Sequence, residues 1–332
     1  MTKPDDYLWD PSADPDPDIA RLEQLLAPLR HHAPLDELRL RRKRARRVSV
    51  FVAVATTVAA MLAVVVWWSS SHPGSSQFAC AATTGFKFTA KGGDVSCGDA
   101  SLASGELPIG TTLDTGSHEA ELSIADIGTA QLGINTRVRL DHTSAKRHQL
   151  FLEQGHLHAR VSAPPRIFAV ATPSAQVTDL GCEYALDIDT AGAGSIHVVT
   201  GKVELETGSG AVVVVPAGSH ARLLQGRRAS VPLSDQAGAR IEAAVRDLEG
   251  GVTDALAGVL AAATIDDVVT VANLAVIVPA AHKRQVLQRL AELVPAPQGL
   301  TIDEALADRT MFEMWFDEAL LVHIGASVPK SP

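Results

Sequence analysis

Two histidines one residue apart, His156 and His158, stand in an alternating apolar stretch, so on a strand both imidazoles face the same way. With His118, His142, His148 and His197 in the same region, this is the chain's best case for a metal centre. No acidic or cysteine ligand has matching spacing, and the simpler reading is histidine on the polar face of strands. No metal and no cofactor is assigned. Asp187-x-Asp189 runs into Thr190-Ala191-Gly192 and reads as a hairpin rather than a calcium loop. There is no Gly-x-Ser-x-Gly, no phosphate-cradling glycine loop and no paired-carboxylate cleft. The sequence reads as a non-enzyme.

The cysteines tell of compartment rather than catalysis. None of the three has zinc-site spacing. Cys80 and Cys97 are close enough that a bridge between them would constrain the unfolded chain by about 3 kcal/mol. Cys182, in Asp179-Leu180-Gly181-Cys182-Glu183-Tyr184, lies among apolar residues and reads as a buried free thiol.

What must position these residues begins with an uncharged apolar run, VSVFVAVATTVAAMLAVVVWW over 48–68, preceded by Arg39, Arg41, Arg42, Lys43, Arg44, Arg46 and Arg47. At about 1.5 Å per residue such a run spans roughly 30 Å as a helix, the thickness of a bilayer's hydrocarbon core. Basic residues stay on the cytoplasmic side, and Trp67-Trp68 suits the far interface. A cleaved signal peptide has a shorter apolar core and a small-residue cleavage site, and a lipid anchor at Cys80 is too far downstream. The expectation is a single-pass inner-membrane protein, N-terminus in the cytoplasm and bulk in the periplasm, where disulfides persist. Ala55, Ala59 and Ala63 have the spacing for close helix approach and hint at a homodimer. The net charge of −9 gives no reason to expect nucleic acid as a partner; the Arg block is a topology signal that also meets membrane lipid.

Within residues 1–47, Asp16-Pro17-Asp18 starts a short helix, and Ile19, Leu22, Leu25, Leu26 and Leu29 form its apolar stripe. A helix this short is marginal alone and needs something to pack on: the membrane surface, a second copy, or a cytoplasmic partner. Residues 69–77 read as a Ser/Gly/Pro linker. From about Phe78 to 230 the period is two, as in Leu122/Ile124, Val138/Leu140, Leu150/Leu152, Leu157/Ala159/Val161 and Ile196/Val198, with glycine at the run ends. This is a mainly β domain, a roll or solenoid-like sheet. After Ser234 the period becomes 3.6, and 235–323 reads as a C-terminal α-helical domain followed by a tail, 324–332. Its helices are expected at 235–248, 252–262 and 265–278, then one opened by Pro279. A last one runs from the Thr301/Glu304 capping box to about Leu321, with Met311, Phe312, Met314, Trp315 and Phe316 as core.

Several spaced pieces of the β region carry a resemblance. They are Leu113-Asp114-Thr115-Gly116, Leu132-Gly133-Ile134-Asn135-Thr136, Leu150-Phe151-Leu152-Glu153-Gln154-Gly155, Pro165 to Pro173, Asp179 to Tyr184, Val199-Thr200-Gly201-Lys202-Val203 and Val215-Pro216-Ala217-Gly218. In this order they resemble the FecR domain of transmembrane anti-sigma regulators, over about residues 106–224. The resemblance implies a periplasmic sensor domain, one transmembrane helix, and a cytoplasmic segment that binds an extracytoplasmic-function sigma factor. That assigns Ile19, Leu22, Leu25, Leu26 and Leu29 as sigma-contact candidates, with a periplasmic or outer-membrane protein as the outer partner. The other reading is a periplasmic envelope scaffold or binding protein for which the N-terminal helix is only an anchor.

Overall fold

The computed structural model describes residues 80, 85–207, 210, 212–224 and 230–327, all within one compact unit, His72–Pro332. The apolar run at 48–68, the linker and the sigma-contact candidates lie outside the described residues. Among the described residues no helix is long and apolar enough to cross a membrane.

Alternating side chains build two sheets that close on one core. The first runs, in spatial order, β4 (Ser104–Pro108), β1 (Gly85–Lys91), β6 (Glu119–Ile124), β7 (Gly128–Leu132), β9 (Arg147–Val161), β12 (Glu183–Ile188), β13 (Gly194–Thr200), β16 (Ser219–Leu223), β17 (Leu233–Ser234). The second runs β3 (Ala100–Leu102), β2 (Val95–Cys97), β5 (Thr112–Asp114), β8 (Arg137–Ser144), β9 again, β10 (Phe168–Ala171), β11 (Ala175–Asp179), β14 (Lys202–Thr207), β15 (Val212–Pro216). The chain advances in the same direction along both sheets, the solenoid-like property, yet among the described residues every strand pairing except β9–β10 is antiparallel, with one isolated parallel bridge between Ile109 and Leu140. Phe86, Leu122, Leu150, Leu157, Tyr184, Ile196 and Leu205 are among the buried residues of the shared core.

The 15-residue β9 belongs to both sheets and shows how the chain passes between them. Its inward residues are His148, Leu150 and Leu152 in the first half but Leu157, Ala159 and Val161 in the second, so the buried parity switches in mid-strand. The switch falls at Gly155, whose φ of +100° is open only to a residue without Cβ, and a Cβ there would stand 2.4 Å from the Thr136 Cα. The other passages from β4 onward also carry a left-handed residue: Gly110, Gly116, Asn135, Arg166, Gly181, Gly201 and Gly218. At Gly201 a Cβ would come within 2.5 Å of the Gly181 carbonyl oxygen, so two successive passages touch backbone to backbone. Asp179 prepares the Gly181 passage by accepting that residue's N–H at 2.7 Å.

The helices form a second core. They are α1 (Ala239–Glu249), α2 (Ala255–Ala262), a 3-10 turn at Ile265–Asp267, α3 (Val268–Ile277), α4 (Ala280–Leu293), α5 (Ile302–Ala307) and α6 (Arg309–Ser327). Eight of the ten residues of α3 are buried, as expected for a helix apolar on every side. It lies on β15, the outer strand of the second sheet, and there Asn273 replaces a missing strand. Its side-chain oxygen accepts the Val214 N–H at 2.8 Å and its amide donates to the Val214 carbonyl at 2.9 Å. An edge that would otherwise expose donors and acceptors is closed. Thr270 donates to the Pro232 carbonyl at 2.8 Å, and His323 Nε2 lies 2.8 Å from Ser219 Oγ and 3.2 Å from the Ala217 oxygen.

Three details differ from the sequence reading. The first helix starts at Ala239, because Ser234 to Gly238 turn out of β17 and leave Asp235 facing the sheet. The last expected helix is two: the Thr301/Glu304 box opens α5, but Asp308 is extended and accepts the Thr310 N–H at 2.7 Å, starting α6 afresh. Of the expected core cluster, Trp315 and Phe316 are buried, whereas Met311 and Met314 are 38% and 48% exposed on the outer side of α6.

Candidate functional site

The polar, outward side of the first sheet gathers chemistry that the sequence scatters. On β9, His156, His158 and Arg160 point away from the core; across the ladder they oppose Asp187, Ala185 and Glu183 of β12. His156 Nδ1 sits 2.7 Å from Asp187 Oδ1, His158 Nε2 is 3.0 Å from Glu183 Oε1, and Arg160 donates to the same oxygen at 2.7 Å. The Arg160 hydrogen bond, aided by His158, holds the Glu183 carboxyl below its ordinary pKa. One strand further, His197 of β13 stands directly opposite His220 of β16. Both reach Asp235, at 2.7 Å and 3.1 Å.

This face is positioned by the passages between sheets. Thr115 Oγ1 donates to the Gly133 carbonyl at 2.8 Å and accepts the Thr136 N–H at 2.9 Å. Thr136 Oγ1 in turn accepts the His156 N–H at 3.0 Å and donates to the His156 carbonyl at 3.2 Å. Two buried threonines thereby fix the backbone that aims His156 at Asp187. The Leu132–Thr136 and Gly155 pieces of the motif series meet at this point.

The histidines weighed as possible ligands divide. His156, His158 and His197 share the outer face, whereas His148 points into the core, 2.8 Å from Thr143 Oγ1 and tilted against Phe86, and burial lowers its pKa. Among the described residues no three His, Cys, Asp or Glu side chains are arranged to hold a metal ion. What the face offers is imidazole–carboxylate pairs between 2.7 and 3.1 Å on neighbouring elements. His220 and Asp235 escaped the sequence reading because β14 and β15 intervene in the other sheet before β16 returns beside β13.

Cys80 and Cys97 form a disulfide with Cα atoms 6.2 Å apart, tying the start of the described chain to β2. Cys182 is free and buried; its thiol donates to Asp179 Oδ2 at 2.6 Å, and burial pushes both groups up in pKa. A thiol so protected from ionisation is a poor nucleophile.

The described residues thus form a two-sheet β unit whose chain changes sheet at left-handed residues, carrying a helical layer on its outer strand. Residues 111–204, from β5 to the start of β14, match the family described as FecR protein. No curated protein matches the chain. Two crystal structures of a candidate anti-sigma factor from Parabacteroides distasonis are similar in part. One, at 1.65 Å resolution, is 19% identical with a TM-score of 0.32, covering 39% of this chain and 60% of that one. The other, at 2.50 Å, is 18% identical with a TM-score of 0.33, covering 40% and 62%. This chain thus spans less than two thirds of the length of those proteins.

Proposed function

We propose that the protein is a single-pass inner-membrane regulator of the anti-sigma type. In this reading the FecR domain and the helical layer lie in the periplasm and receive a signal by protein–protein contact. The stripe Ile19, Leu22, Leu25, Leu26 and Leu29 holds an extracytoplasmic-function sigma factor on the other side. The observation that carries the proposal is the FecR match over 111–204, joined to the arginine-flanked apolar run at 48–68. The disulfide supports an oxidising location for the folded part.

The test is co-purification of the full-length protein with an extracytoplasmic-function sigma factor. Leu22→Asp with Leu25→Asp should abolish capture, since two carboxylates on a narrow apolar stripe remove the buried contact. If the double variant captures sigma factor normally, the inner-helix reading fails. If deleting residues 2–38 leaves every phenotype intact, the protein is an anchored envelope scaffold instead.

A further inference from the structure

Between the outer face of the second sheet and the helical layer lies a cleft of about 780 Å³, within the size range of small-molecule sites. Leu180, Val212, Val276, Phe312 and Phe316 give it an apolar lining. The Phe312 and Phe316 rings are tilted against each other with centroids 5.9 Å apart, and Val212 is 38% exposed. Three carboxylates stand on the lining, and each is engaged by a cation of the same lining. Arg166 donates to Glu204 through Nε at 3.1 Å and through Nη2 at 2.5 Å. Lys202 of β14 reaches Asp317 of α6 at 3.2 Å, and Arg309 reaches Glu313 along α6 at 2.6 Å.

The fourth cation is Lys283, half-buried on α4, which makes no hydrogen bond and no ion pair among the described residues. It also borders a second cavity, of about 280 Å³ between α3, α4, α5 and α6, so open space reaches it from two sides. The undescribed residues of this compact unit, 72–79, 81–84, 208, 209, 211, 225–229 and 328–332, include no aspartate and no glutamate, so they hold no carboxylate side chain for its ammonium. A half-buried ammonium attracts an anion more strongly than one in bulk water, because less solvent screens it. We propose that the cleft binds a small amphiphilic monoanion, with its apolar body against Phe312, Phe316 and Val212 and its carboxylate on the Lys283 ammonium. A cation of the same shape meets no free acid on the lining and is disfavoured. The binding stands whether or not the protein holds a sigma factor; where it does, the cleft is a seat for the outer signal.

The test uses the full-length chain in phosphatidylcholine nanodiscs at pH 7.5, with empty nanodiscs as the reference, titrated calorimetrically with 4-phenylbutyrate and with 4-phenylbutylamine. The expected result is saturable 1:1 binding of the carboxylate, at least tenfold tighter than the amine. Lys283→Gln should weaken carboxylate binding at least tenfold, and Lys283→Glu should turn the preference towards the amine. Arg284→Gln, one residue along α4 but paired with Asp303 and not on the lining, should leave the carboxylate affinity within twofold. Absence of saturable carboxylate binding, equal affinity for both probes, or a preference that survives in folded Lys283→Gln protein overturns the proposal, as does a loss in Arg284→Gln equal to that in Lys283→Gln. Should neither Lys283 variant fold, undiminished carboxylate binding by Val212→Trp, which fills the cleft, overturns it.

Discussion

In the β unit a left-handed residue stands at each passage between sheets from β4 onward, so the path of the chain is written into its backbone. In the helical layer the left-handed residues Gly251, Asp254 and Gly299 stand in turns between helices, where no sheet is exchanged. The layer's hold on the sheet combines side-chain hydrogen bonds, from Asn273 to β15, from Thr270 to Pro232 and from His323 to Ala217 and Ser219, with the ion pairs Lys202–Asp317 and Arg222–Glu249 and apolar packing of Val214 and Ile277. The contrast teaches where each part is vulnerable. A change at one passage glycine should disturb both sheets, whereas a change at Asn273 should loosen the helical layer at β15 and leave the sheets in place.

The largest effect is expected at Gly155. Gly155→Val combines a left-handed conformation closed to a β-branched residue with a collision against Thr136, and should cost roughly 3 kcal/mol or more, observed as loss of the cooperative melt. A variant that melts like the wild type would break the claim that this passage organises both sheets. Next comes Cys80→Ser with Cys97→Ser, which frees the chain ahead of β1 and should cost about 3 kcal/mol in denaturant unfolding. Asn273→Ala strips both partners from Val214 and should cost about 2 kcal/mol. Hydrogen exchange sharpens the comparison here: amides of α3 and β15 should lose protection while those of β9 and β12 keep it. Uniform loss would mean that layer and sheet are one cooperative unit.

Acid should weaken both regions in the same direction. Burial lowers the pKa of His148 in the β core and of His323 under α6. A base depressed in the folded state adds stability above its unfolded value near 6.5, and that stability is lost as pH falls towards the folded value. Unfolding midpoints should therefore drop between pH 7.5 and pH 5. His323→Gln should flatten the drop for the helical layer and His148→Gln for the β unit; a slope unchanged in either would sink the assignment. The smallest effect is expected for Met314→Ser, on the exposed side of α6, at within about 0.5 kcal/mol.

Much of the β unit was legible because alternation and glycine report directly on burial and turns. Leu150/Leu152 and Leu157/Ala159/Val161 read correctly as inward pairs, and Asn135 sits where a left-handed turn residue belongs. That β9 serves two sheets was not legible, since a parity switch around Gly155 looks the same as a turn between two strands. In the helices, Thr301 and Glu304 announced α5 through their reciprocal cap. Asp308 did not announce α6, because a lone carboxylate inside a helical pattern has several readings. Asn273 was invisible for a related reason: its partner lies 59 residues away, and only the fold tells that Val214 is on an edge. The histidine–carboxylate face was half legible. His156-x-His158 follows from strand period, but the meeting of His197, His220 and Asp235 depends on a register set across an excursion through the other sheet.

We propose that the FecR-like stretch and its helical layer stand across a membrane from the leucine stripe. The most direct measurement is labelling of intact spheroplasts with a membrane-impermeant maleimide. The native background is low, since Cys80 and Cys97 are bonded to each other and Cys182 is buried. A cysteine introduced at Leu321, 67% exposed on α6, should label in intact spheroplasts, and one at Ser12 only after lysis. Labelling of Ser12→Cys in intact spheroplasts with Leu321→Cys protected until lysis would contradict it.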